Sequence, residues 1–200
     1  MQAVATAVGS SRDLRKAARR HRLLEAALRL FSEQGYHDTT VDDVVAAART
    51  SKSAFYEHFE SKEDCFRVLL AAEGGDLMKA VVDAAGRGSG PRDRVRRGID
   101  AFVRTCASRS RVARLFLVES VGVSPAIEEV RHEIQGRFAA MVESEVQHAA
   151  ASDDFYASVD PIVYGRAVVG AVNEATGYFV THAEDDPRAV SEGLCRIFAP

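Results

Sequence analysis

Two hydroxyl residues, Thr40 and Ser51, each stand just ahead of a short run whose apolar residues recur at helical spacing, and this pair of starts constrains the chain most. A hydroxyl in that place accepts a hydrogen bond from a backbone N–H that the first turn of a helix leaves without a partner. After Thr40, residues Val41, Val44 and Val45 fall on one face, because residues three and four apart meet on a helix. After Ser51, Ala54, Phe55 and Phe59 make an inward stripe, which leaves Lys52, Ser53, Tyr56 and His58 facing outward. Two helices of this size joined by about three or four residues form a helix-turn-helix unit. Ser61, with Glu63 and Asp64 behind it, then starts a long helix, its acidic groups at the partially positive end.

The formal net charge of −3 looks wrong for a chain that would touch DNA until it is divided along the sequence. Arg12, Arg15, Lys16, Arg19, Arg20 and Arg22 face only Asp13, a local charge of +5 that leaves −8 for the remainder. A basic end on an acidic body suits a protein that meets phosphate at one end. The Arg-rich stretch is a phosphate-seeking extension or a solvated face, and the density of Arg beside the helix-turn-helix favours the first. Residues 1 to 11 carry too little apolar pattern to fold alone and are expected to fray.

Leu24, Ala27, Leu28 and Phe31 give the first helix, from about Arg15 to Gln34, with Gly35 at its end. Past Lys62 a helix continues toward Ala85, interrupted by Gly74 and Gly75, each costing on the order of 1 kcal/mol relative to alanine. Gly86 to Gly90 is a loop and Pro91 opens the next helix. Arg111 to Ser120 is short and apolar. Ser124 before Pro125 starts a helix that reaches about Ala151. Asp160-Pro161 starts the last long helix, in which Gly165, Gly170 and Gly177 allow close approach of neighbours, and Pro187 to Phe198 is a short final one. No two-residue β pattern occurs. Hydrophobic content of 46% and charged content of 28% are those of an ordinary globular chain. No apolar run approaches the ~18 to 20 residues of a membrane span, and the start lacks the apolar core of a signal peptide, so a cytoplasmic chain is expected. Cys65, Cys106 and Cys195 are expected as buried free thiols.

The segments Thr39-Thr40-Val41, Ser51 to Tyr56 and His58 to Glu63, with Phe31-x-x-x-Gly35-Tyr36 ahead of them, resemble the N-terminal signature of the TetR family of transcriptional regulators over about the first third of the chain. The resemblance implies an all-α fold with a three-helix DNA-binding head and a helical ligand-binding and dimerisation body. It places Lys52, Ser53 and Ala54 at base edges and Thr40, Tyr56, His58 and Lys62 at phosphates, with Ser51 capping the recognition helix. Hydroxyls, ammonium groups and helix N-termini do bind phosphate. An αα-hairpin that merely packs would leave this exposed cluster unexplained. Arg49 stands where the family has a glycine between the two helices. Either the turn is shaped differently, or a non-glycine residue sits at positive φ at a cost of about 1 to 2 kcal/mol, and Arg49 is a further candidate for DNA contact.

In the body, Phe102, Cys106, Phe116, Phe138, Met141 and Tyr164 are core by default, but Glu119, Asn173 and Glu174 lie inside apolar stripes and need partners. These residues are the candidate lining of a mainly hydrophobic effector site, a structural pairing being the equal alternative for the polar ones. Leu115 to Pro125 resembles TetR regulators that sense fatty acyl compounds. The histidines are dispersed with no metal spacing, and no phosphate loop or nucleophile pairing is suggested, so no enzyme, metal or cofactor is expected. The expectation is a flexible basic arm at 1–14, a helix-turn-helix domain at 15–62 and a ligand-binding and dimerisation domain at 63–200. The chain would be a homodimeric repressor released from a palindromic double-stranded DNA operator by a small hydrophobic effector. The alternative is an α-helical adaptor without DNA binding.

Overall fold

The computed structural model describes residues 11–182 and 186–200, and all regular structure among them is helical. In chain order the helices are α1 (Ser11–Gln34), α2 (Val41–Ala47), α3 (Lys52–Tyr56), α4 (Lys62–Ala85), α5 (Pro91–Ser108), α6 (Ser110–Arg114), α7 (Pro125–Ala149), α8 (Asp154–Ala157), α9 (Pro161–Thr181) and α10 (Pro187–Phe198), with a π-helical turn at Leu115–Glu119 after α6. They pack as two compact units, one ending at Phe66 and the other beginning at Arg67, so that the boundary falls within α4. The expected basic arm lies outside the described residues up to 10, and residues 11–14, expected in that arm, are the first turn of α1.

In the first unit the caps act as the sequence implies. Thr40 Oγ1 accepts from the Asp43 N–H at 3.2 Å, and the Asp43 carboxylate accepts from the Thr40 N–H at 2.9 Å, a reciprocal box that satisfies two end donors. Ser51 Oγ accepts from the Ala54 N–H at 3.2 Å. Between the two helices, the Thr50 N–H reaches the Val45 carbonyl at 2.9 Å and the Arg49 N–H the Ala46 carbonyl at 3.1 Å. That bonding closes a helix through a left-handed residue, and the residue is Arg49, at φ 52°. The turn therefore keeps the conformation that a glycine would adopt more cheaply. Leu23, Ala27, Phe31, Val44, Phe55, Phe59 and Phe66 are buried together, with the Phe66 ring edge-on to Phe31 and Tyr36 at 5.1 and 5.0 Å.

In the second unit α7 and α9 form the main helix pair. A Cβ on Gly165 would come 2.7 Å from the Ala139 carbonyl oxygen, so glycine sets that approach. Gly170 and Gly177 do not set an approach within the chain. A Cβ on Gly170 would meet open space, and one on Gly177 would make an ordinary 3.6 Å contact with Leu117 Cβ. Helix α4 runs through Gly74 and Gly75 without the expected interruption, and Ile134 seats against Gly74, where a Cβ would meet its Cδ1 at 2.6 Å. Ser124 and Asp160 cap α7 and α9 through the Ile127 and Val163 N–H groups at 3.3 and 2.9 Å. Helix α8, not foreseen, is opened by Asp153, which accepts from the Phe155 N–H at 3.0 Å. The π turn replaces the second half of the single helix expected from Arg111 to Ser120. Its Ser120 N–H reaches back to the Leu115 carbonyl at 3.0 Å, and the buried Ser120 hydroxyl donates to the Phe116 carbonyl at 2.7 Å. The three cysteines are buried and free, and burial pushes the Cys65 and Cys106 thiols up to about 12.

Candidate nucleic-acid interface and effector cavity

On the first unit, α3 presents Lys52, Ser53 and Tyr56 to solvent, with Ser51 and Arg49 exposed just ahead of them. Lys52 is held by Asp42 of α2, Nζ to Oδ2 at 2.9 Å, and that hydrogen bond favours the charged ammonium and raises its pKa. Arg19 of α1 pairs with Glu57 at 3.1 Å, and Arg20 stands 5.7 Å from the centroid of the Phe59 ring. Thr40 is exposed, but its hydroxyl is engaged in the cap, donating to Asp43 Oδ2 at 2.6 Å.

Three candidates are placed differently from the outward cluster. Ala54 is buried, with 5% of its surface exposed, because it belongs to the stripe that packs α3 on the core. His58 is half-buried rather than outward, and its Nε2 is shielded and has no hydrogen-bond partner among the described residues. Burial, with the Lys16 cation nearby, moves the His58 pKa below the usual imidazole value. Lys62 donates to the carbonyls of Tyr36 at 2.8 Å, Thr39 at 2.9 Å and, more weakly, His37 at 3.4 Å. An ammonium has three N–H groups. All three are directed at the link between α1 and α2, so Lys62 works as a structural clamp before any phosphate is considered. The sequence pattern did not reveal this because the acceptors are backbone carbonyls, which carry no residue signature.

In the second unit α4, α5, α7 and α9 line a cavity of about 190 Å³ that is open on one side. Val95, Ile99, Phe102, Phe138, Val142, Val168 and Val172 supply buried apolar wall, and Phe102 and Phe138 meet edge-on at 5.8 Å. Its charged lining residues are Arg94 and Glu145, paired at 3.1 Å, and Asn173 is a further polar one. A second, more polar hollow of about 390 Å³ is lined by Leu117, Val121, Arg131, Gln135, Arg166, Gly170 and Glu174 and shares Val169 and Asn173 with the first.

Of the residues proposed for the effector site, Phe102, Phe138, Met141 and Asn173 line the apolar cavity, and Glu174 lines the polar hollow. The others are elsewhere. Cys106 and Phe116 are closed core. Glu119 accepts from Arg114 Nε at 3.2 Å, the structural pairing that was the alternative. Tyr164 donates to the Phe198 carbonyl and packs edge-on with Phe155, Tyr156 and Phe198. Arg94 and Glu145 were missed because each reads as a solvated helix position, and only the packing of α5 against α7 brings them to one cavity. No helix among the described residues is long and apolar enough to cross a membrane.

Residues 23–69 match the bacterial regulatory proteins of the tetR family. Residues 88–199, more than half of the chain, match the tetracyclin repressor-like C-terminal domain. The HTH-type transcriptional repressor DhaR of Mycobacterium sp. (strain GP1) is 32% identical over 116 residues, 58% of this chain and 57% of that one. The chain spans less than two thirds of the first curated relatives it matches, 38% and 57% of their lengths. Among solved structures, the transcriptional regulator FadR from Bacillus subtilis in complex with stearoyl-CoA superimposes with a TM-score of 0.80 at 16% identity, over 90% of this chain and 97% of that one. AibR in complex with isovaleryl coenzyme A and operator DNA gives a TM-score of 0.76 at 19% identity, over 91% and 98%. Likeness at this identity speaks for the fold. With both halves of the sequence matched, the chain belongs to the tetR family of helix-turn-helix transcriptional regulators.

Proposed function

We propose that the protein is a homodimeric repressor that holds a palindromic operator through residues 15–62 and releases it when residues 63–200 take up a small hydrophobic, acyl-type effector. The observation that carries the reading is the apolar cavity of about 190 Å³ in a unit covalently continuous, through α4, with a helix-turn-helix. The acyl-CoA complexes of the two structural neighbours support the ligand class. At the DNA, Lys52 and Ser53 on the exposed face of α3 read base edges, and Tyr56, Arg49 and the Ser51-capped helix start meet phosphate. Thr40, His58 and Lys62 serve the shape of the head.

The dimer seam lies on α9, where Ile162, Val163 and Tyr178 are exposed apolar residues and Gly170 is open. For release, the effector binds the spacing of the two heads that does not fit DNA more tightly than the spacing that does, since equal affinity shifts nothing. The test is a titration of labelled operator DNA with and without medium-chain fatty acids, acyl-CoAs and aromatic compounds, paired with thermal shift of the free protein. An effector stabilises the free protein and weakens its hold on DNA. Ligands that strengthen DNA binding would make the protein an activator or a co-repressed regulator. DNA binding that does not depend on salt or operator sequence would leave an α-helical adaptor.

A further inference from the structure

The charged pair in the wall of the apolar cavity stands at its rim. Arg94 and Glu145 keep side-chain exposures of 41% and 30%, while Phe102, Phe138 and Val172 in the same wall are buried. The geometry points to Arg94 as the anchor for a carboxylate, and to an effector that is a free carboxylic acid of about six to eight carbons, its tail in the cavity and its head exchanged for Glu145. This rests on the effector reading above and narrows it.

Three observations carry the inference. An apolar cavity of ~150 Å³ takes up benzene, so about 190 Å³ holds the bulk of a short alkyl tail, and its open side leaves a charged head at the rim. Among the described lining residues Asn173 is the one polar side chain besides that pair, so the ligand has one charged end and otherwise little polarity. The contact from Arg94 to Glu145 uses Nη1, at 3.1 Å, whereas a planar carboxylate set against a guanidinium takes two N–H groups side by side. A partly exposed pair is held weakly against water, so the exchange costs little, and Glu145 can turn to solvent.

The same pair would also serve as a plain latch between α5 and α7, and calorimetry on the full chain separates the two roles. The probes are octanoate, octan-1-ol and octanoyl-CoA, against wild type, Arg94→Gln and Glu145→Gln. An anchor gives opposite signs. Arg94→Gln weakens octanoate by about tenfold or more, and Glu145→Gln, which removes the competing carboxylate, tightens it by about three- to tenfold. Octan-1-ol is unchanged by both. The gain of affinity guards against misfolding as an explanation, since a damaged fold does not bind better. If octanoate and octan-1-ol bind alike and neither substitution alters octanoate, Arg94 is a latch and the hydrophobic-effector reading stands without it. If octanoyl-CoA binds and the other two do not, the anchor is overturned and the acyl reading survives. If none of the three binds, both fall.

Discussion

The ammonium of Lys62 stands 4.2 Å from the centroid of the Tyr36 ring and donates to the carbonyl of the same residue at 2.8 Å. One side chain thus ties the start of α4 to the link between α1 and α2. Lys62→Ala should cost about 1–3 kcal/mol of stability in the first unit, because it removes charge-assisted bonds to the part-buried carbonyls of Tyr36 and Thr39. Hydrogen exchange of the α1–α3 amides reads this. Among molecules that remain folded, the salt dependence of DNA binding should hardly change. A slope smaller by about one with unaltered exchange would return Lys62 to the phosphates.

His58 makes the first unit sensitive to acid. Burial and then Lys16 hold its folded pKa below the unfolded value of about 6.5, so the unfolded chain takes the proton first. The stability tied to His58 is therefore complete above about pH 6.5, declines as the pH falls through that value and levels off below the folded pKa. His58→Gln should flatten the difference in head stability measured between about pH 7.5 and 5.5. An unaltered difference would assign the sensitivity to other groups.

Arg49 occupies left-handed backbone at φ 52°. Arg49→Gly relieves a penalty of about 1–2 kcal/mol and adds back about 0.4–1 kcal/mol of unfolded-chain entropy, so a net gain of up to about 1.6 kcal/mol is expected in urea unfolding of the head. If Arg49 also touches phosphate, the same variant loses about one unit of salt slope. Stability and DNA affinity then move in opposite directions.

Asp42 pairs at 2.9 Å with Lys52, the cation of α3 proposed to meet DNA. Asp42→Asn should raise affinity for operator and random duplex alike by a few fold, by removing a negative charge from the approaching surface. Lys52→Ala should weaken the operator more than random DNA. Equal losses on both in an anisotropy titration would demote Lys52 from base reader to phosphate contact.

For assembly, Val163 is 66% exposed on α9 whereas Val172 is 5% exposed and lines the cavity. Val163→Glu should yield a folded monomer in sedimentation. Val172→Glu, which a pattern of apolar residues alone would equally assign to the seam, should instead destabilise the second unit by more than about 3 kcal/mol, because it buries an unpaired charge. A dimer that survives Val163→Glu would move the seam off this face.

The local code was legible where one residue type has one job. The caps at Thr40, Ser51, Ser124 and Asp160, the end of α1 at Gly35 and the all-helical character could be read directly. What escaped was decided by tertiary packing. Lys62 is drawn inward by carbonyls, Glu119 is claimed by Arg114 and Tyr164 by the Phe198 carbonyl. Helix α9 is apolar on more than one side, so its sequence could not say which valines face the cavity and which face outward. Arg94 and Glu145 come from helices far apart in the chain and are neighbours only after folding.

The π turn at Leu115–Glu119 bears on how the chain compares with its kin. A π turn is an α-helix holding one residue more than its bonding needs, and here the Ser120 hydroxyl takes up the Phe116 carbonyl in the widened turn. Losing one residue from the turn would restore ordinary bonding without rotating α6, because a loop and not a helix follows the turn as far as Pro125. Length can therefore change by one at this point in a lineage while the fold stays put. A gap between Leu115 and Ser120 in an alignment is an expected trace of descent, and it should be placed there before any substitution around it is interpreted.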